Sequence, residues 1–186
     1  MGVKKLVPGN ILITNLQNTQ KKQEVILLCE HSDYGSFGLT INQPFDDSVL
    51  QGELEILKDL SLHPKVSFRC GGDVEPLQMM CVHETSQPKD YMLHIYQNVY
   101  LGGDILFLEE VLLREDCPEL LIFFGYRAWI GGQLDNEAAE QRYLVLPSCH
   151  ELLFNTPMEN IYKTAASKLG RGFEFFSRIP KDLSLN

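Results

Sequence analysis

Residues 25–44 read VILLCEHSDYGSFGLTINQP. The unbroken apolar run Val25 to Cys29 predicts a short strand covered on both faces. Glu30 and His31 then mark the point where that strand leaves the core. Gly35 and Gly38 bracket the start of a second strand, Phe37 to Ile41, which Asn42 closes ahead of Gln43-Pro44. Ligands are usually met at strand ends in α/β sheets. Glu30, His31 and Asn42 are therefore candidate binding residues, and Gly35 and Gly38 leave the backbone free to turn tightly or approach something closely. The plainer alternative is a hairpin whose Glu30 and His31 only cap and solvate its loop.

A second stretch repeats the pattern. In LLIFFGYRAWIGGQLDNE, residues 120–137, an apolar strand, Leu120 to Phe124, runs into Gly125, then Tyr126 and Trp129, then Gly131-Gly132 ahead of a helix. A glycine-rich turn into a helix presents free N–H groups and the positive helix end, which together hold anions such as phosphate or carboxylate. Gly125, Trp129, Gly132, Gln133 and Glu137 join the candidates. The alternative is that the glycines merely allow a turn and Trp129 is core. If the two strand exits open into one cleft, a small anionic ligand or a protein partner would bind there without catalysis. Hydrolase or transferase chemistry with Glu30 or His31 as general base is the competing reading.

Outward from these stretches, further strands are expected at Ile11 to Thr14, Val66 to Cys70, Met79 to His83 and Tyr143 to Leu146. Helices are expected from Asp104 as cap through Leu113, over Leu134 to Gln141, over Glu53 to Leu60, and after Thr156-Pro157-Met158-Glu159. In the last, Thr156 would be the N-cap, Pro157 the first helical residue and Glu159 the return partner of a capping box, with Gly170 closing the helix. Clustered strands with interspersed helices argue for a single α+β domain over residues 1–170. The polar segment 171–186 reads as a partly frayed C-terminal extension.

Composition narrows the function classes. With 25 acidic against 16 basic residues and a net charge of −9, the chain as a whole repels phosphate backbones and anionic lipid, which argues against direct nucleic-acid binding. No apolar run reaches the length of a membrane span, and no signal-peptide core precedes the first strand. Five cysteines without a CxxC point to a reducing, cytoplasmic setting. Two CxH pairs, Cys29-Glu30-His31 and Cys81-Val82-His83, could present zinc ligands from neighbouring strands. The paired-cysteine spacings of structural zinc sites are missing, and no metal or cofactor is expected.

Taken together, CEH-x3-G-x2-G-L-x2-N-x-P at 29–44, the glycine pair at 71–72, GY-x2-W-x2-GQL-x2-E at 125–137, and LF-x-TP at 153–157 ahead of Ala165-Ala166 and Gly170 resemble the AlgH/YqgE family of uncharacterised bacterial proteins. The resemblance implies a strand-rich α+β fold with a bent, partly barrel-like sheet. Family members often carry GGP where this chain has Gly71-Gly72-Asp73, and an apolar residue at Cys81, whereas a histidine at His83 is usual. Some members are labelled transcriptional regulators. The acidic balance and the lack of a helix-turn-helix make any effect on transcription indirect. The resemblance supplies no catalytic residues, so the candidates stand on their chemistry alone.

Overall fold

The structure, a computed structural model, describes residues 5–17, 22–46, 62–102, 105–114 and 116–170. The cap expected at Asp104, the helix expected over Glu53 to Leu60 and the extension 171–186 lie outside what is described. The strands are β1 (Ile11–Thr14), β2 (Val25–Ser32), β3 (Gly35–Thr40), β4 (Val66–Cys70), β5 (Val74–Glu84), β6 (Leu93–Tyr96), β7 (Val99–Leu101), β8 (Leu120–Ile130) and β9 (Tyr143–Leu146). The α-helices are α1 (Ile105–Leu112), α2 (Gln133–Ala139) and α3 (Ile161–Lys168). The nine strands form one open sheet in the order β6-β7-β5-β8-β3-β2-β1-β9, with β4 parallel to β8 off this path. The chain has the strand-rich, single-domain α+β architecture its sequence predicts, and the sheet stays open instead of closing into a barrel.

Both faces of the sheet are covered, which is why Val25–Cys29 of β2 and Leu120–Phe124 of β8 are apolar at every position. On one face Ile11, Ile13, Leu27, Leu39, Val82, Leu121 and Phe123 pack with α3 and the preceding turn into the central core. On the other face lie two separate clusters. Leu120, Ile122 and Phe124 of β8 sit under α1, while Leu12, Ile26, Leu28 and Trp129 sit under α2 with Leu134.

Two irregularities decide what faces α2. In β2 the pairing with β3 slips between Leu28 and Glu30, so that Cys29 is an extra residue. A bulge reverses the in-out alternation beyond it. In β8 the odd residues Leu121 and Phe123 face the central core, but beyond Gly125, whose φ is 70°, the even residue Tyr126 packs there and Trp129 faces α2. A Cβ on Gly125 would come too close to the backbone oxygens of Gly72 and Val74. Glycine is thus required at this position twice over.

Several expectations are corrected. β8 does not end at Gly125; it runs on for five residues, because its second half finds a new partner in β3. β5 starts at Val74 rather than Met79, and the short strands β6 and β7 complete its edge. The capping box at Thr156 does not form. A π-helical turn, Glu151–Asn155, precedes it, and the Thr156 hydroxyl donates to the Glu151 carbonyl at 2.7 Å. Pro157 remains extended at ψ 137°, a 3-10 turn (Met158–Asn160) follows, and α3 begins only at Ile161. The π turn thus takes the hydroxyl that the helix N-terminus would have used. Gly170, at φ 99°, does close α3.

Candidate functional site

The β2–β3 hairpin turn and the β8–α2 turn meet at one end of the sheet. Ser36, near the start of β3, pairs with His31 on one side and Trp129 on the other. Paired residues share a face, so His31, Ser36 and Trp129 all lie on the α2 side. The approach is close. A Cβ on Gly131 would fall on the Asp33 carbonyl oxygen, and one on Gly35 would reach 2.9 Å from the Trp129 carbonyl oxygen.

Beneath α2 the side chains form one network. The indole N–H of Trp129 donates to Glu137 Oε2 at 3.3 Å, and the Gln133 side-chain amide donates to Glu137 Oε1 at 3.1 Å. The Gln133 side-chain oxygen in turn accepts from the Ile130 N–H at 3.2 Å. Glu137 is only 8% exposed. A carboxylate so deeply placed survives because each oxygen holds a donor, and each oxygen keeps capacity for one more. Next to this network, His31 Nδ1 and Ser36 Oγ are 2.8 Å apart, and His31 Nε2 lies 3.4 Å from Asp135 Oδ1.

Shallow hollows flank Gln133 and Glu137. One, of about 330 Å³, extends from Ile130 toward Glu140 and Arg142; the other, of about 180 Å³, extends past Trp129 to Arg127 and Asp73. Together they make a groove along the second half of β8. Its two cations are already answered, Arg142 by Glu140 at 2.6 Å, and Arg127 by Asp73 at 2.9 Å and Glu24 at 3.4 Å. Glu137 and Asp135 add negative charge. At the groove's mouth Tyr34 is 96% and Ile130 77% exposed.

The candidates divide. His31, Trp129, Gln133 and Glu137 come together. Glu30 does not join them, because the bulge at Cys29 leaves it opposite Phe37, on the other face of the sheet and exposed. The same bulge separates Cys29 from His31. The thiol points into the central core, where burial pushes its pKa far up, so the two cannot act as a nucleophile pair or share a metal. Asn42 sits at the far end of the hairpin, roughly 20 Å away along β2, accepting from the Val25 N–H and donating to the Gln23 carbonyl. Gly38 admits the Leu27 carbonyl and the Ile26 side chain. Gly132, at φ 73°, precedes α2 without a side-chain cap, and α2 has seven residues with Asp135 already in its first turn. Its N-terminus is thus short and already faces a carboxylate. Among the described residues no group of three or more His, Cys, Asp or Glu could hold a metal ion.

Ser36, Asp135, Arg127 and Gly131 belong to the site and were not singled out by sequence. Ser36 and Asp135 become visible only once the bulge at Cys29 sets the register. No helix among the described residues is long and apolar enough to cross a membrane.

Known proteins resemble this chain over most of its length. A family model described as AlgH-like matches residues 11–174. A UPF0301 protein of Chlamydia caviae is 35% identical over 188 residues, covering 97% of this chain and 96% of that one. A UPF0301 protein of Yersinia pestis is 30% identical over 166 residues, covering 86% and 89%. Among solved structures, the AlgH protein of Pseudomonas aeruginosa matches with a TM-score of 0.69 at 23% identity, covering 97% of this chain and 98% of that one. Protein DIP2367 of Corynebacterium diphtheriae matches with a TM-score of 0.76 at 19% identity, covering 96% and 95%.

Proposed function

We propose that this chain, which belongs to the AlgH-like family, is a non-catalytic binding protein whose working surface is the groove between β8 and α2. The observation that carries this reading is the Glu137 carboxylate, buried at the middle of the groove and fixed by Trp129 and Gln133 with acceptor capacity to spare. A preorganised anion in a shallow groove with an apolar mouth suits a lysine or arginine side chain carried on a protein segment with apolar neighbours. The charge runs against the anionic ligand that the glycine-rich turn suggested, since both groove arginines already hold carboxylates. Any influence on transcription would then pass through a protein partner.

Titration calorimetry tests it with a short peptide alternating lysine and leucine, an equally long one alternating glutamate and leucine, and the Glu137→Gln variant. The lysine peptide should bind wild type and lose about tenfold or more in affinity to Glu137→Gln, as loss of a desolvated charge partner requires. Binding of the glutamate peptide, or indifference to Glu137→Gln, overturns the reading.

The Ser36–His31–Asp135 line favours a second reading, hydrolysis with His31 as general base. Against it, Ser36 lies inside a ladder with strands on both sides, which leaves its backbone no room to move toward a substrate. A fluorophosphonate probe separates the readings. Labelling of wild type that disappears in Ser36→Ala would establish the hydrolase; absence of labelling removes it.

A further inference from the structure

A second cleft, of about 310 Å³, opens at the end of β5, between the loop that follows it and α1. It lies on the half of the sheet that carries β6 and β7, away from the groove beside α2. Its floor includes His83, Phe107 and Val111. His83 is 0% exposed, and its Nε2 has no hydrogen-bond partner. Its Nδ1 lies 3.4 Å from the Glu84 carbonyl oxygen, and its ring stands 4.8 Å from that of Phe107. Burial pushes the pKa of His83 down, with the Glu84 and Gly102 carbonyls opposing in smaller measure. The ring is therefore neutral near neutral pH. With the proton on Nδ1, facing Glu84, Nε2 is a buried acceptor that nothing in the protein satisfies.

The rim carries both signs of charge. Arg114 and Asp116 satisfy one another through a two-pronged contact at 2.9 and 2.8 Å, and Glu84 is engaged by His150 at 3.0 Å. That leaves Lys89 and Glu110 as the rim's cation and anion outside any described ion pair. A simple anion here would face Glu110 and Asp116, a simple cation would face Lys89 and Arg114, and a neutral polyol would leave Lys89, and Glu110 whose charge reaches Arg114 only at a distance, without a contact. A molecule carrying both charges on adjacent carbons answers Lys89, Glu110 and the Nε2 lone pair together.

We propose that this cleft binds a free α-amino acid, its carboxylate at Lys89, its ammonium group at Glu110 and His83 Nε2, and its side chain toward Phe107 and Val111. The proposal is independent of the groove beside α2, and the outcomes of the two tests are separable.

The experiment titrates the full chain with leucine, leucinamide and N-acetylleucine, following heat and the imidazole nitrogen resonances of His83. Leucine should bind with a dissociation constant below about 10 mM and move the Nε2 resonance of His83. Leucinamide, lacking the carboxylate, and N-acetylleucine, lacking the ammonium, should each bind at least about tenfold more weakly. Lys89→Ala, an exposed rim change that leaves the floor intact, should weaken leucine by a similar factor. The proposal is overturned if leucine and a panel of other amino acids all fail to bind. Equal binding by the two blocked derivatives, an unmoved His83 resonance, or an unchanged affinity in Lys89→Ala overturns it too.

Discussion

Replacing Gly131 with alanine tests whether the two strand exits meet as described. The φ of Gly131 lies outside the left-handed region, so alanine carries no conformational penalty there; its whole effect is spatial. The added Cβ would fall on the Asp33 carbonyl oxygen, well inside the 3.0 Å that real Cβ atoms essentially never breach, with the Tyr34 carbonyl carbon at 3.4 Å. Relief requires the β2–β3 turn to swing outward by roughly an ångström, at the overpacking cost of about 1–3 kcal/mol. For a chain of this size each kcal/mol lowers Tm by about 2–4 °C. The swing should also carry His31 away from Asp135, now 3.4 Å apart. Gly132→Ala is the control. Its φ of 73° strains any L-residue, but nothing lies within 4 Å of the new Cβ, so it should cost about 1–2 kcal/mol without moving the hairpin turn. Urea unfolding gives the energies, and amide resonances of Asp33 and Tyr34 report the turn. If Gly131→Ala stays within about 0.5 kcal/mol of wild type and those resonances do not move, the two turns do not touch and the proposed surface is not a single surface.

Three further outcomes follow from the same structure. Gly125→Ala, which combines left-handed backbone strain with a clash against two carbonyls, should destabilise by roughly 3 kcal/mol or more in urea unfolding; a near-neutral result would mean that β8 does not kink there. Trp129→Phe keeps most of the packing but removes the donor to Glu137 Oε2, so thermal unfolding should show a loss of about 1.5–3 kcal/mol, and the loss should shrink in a Glu137→Gln background. His83 has a folded pKa below its ordinary value of 6.5, so the unfolded chain binds the extra proton first. The stability this group contributes is intact above that value and falls as pH drops below it. His83→Gln should flatten the decline in urea midpoint between about pH 7 and about pH 5 relative to wild type, and parallel declines would contradict the assignment.

Much of the strand content was legible because β1, β4 and β9 are short runs rich in β-branched, aromatic and aliphatic residues bounded by turn residues, and their limits match the sequence expectation. The continuous apolar character of Val25 to Cys29 and Leu120 to Phe124 likewise announced strands covered on both faces. What pattern alone could not reveal was the effect of one extra residue. Cys29 looks like the last member of its run, yet as a bulge it sends Glu30 and His31 to faces opposite to those that simple alternation assigns. Gly125 looks like a stop, yet it is a kink that lets β8 continue beside β3. The convergence of His31, Ser36, Trp129 and Asp135 depends on both events, and both are settled by tertiary pairing rather than local preference. At Thr156 the local signal was strong, and a neighbouring π turn overrode it.

Trp129 is the chain's single tryptophan, so its emission reports directly on the groove. Titration with the lysine–leucine peptide should produce a saturable change in Trp129 fluorescence that added salt weakens, as screening of a charge contact requires, and that Glu137→Gln abolishes. No change, or the same change with the glutamate–leucine peptide, would contradict the claim that the Glu137 carboxylate is the centre of a binding surface.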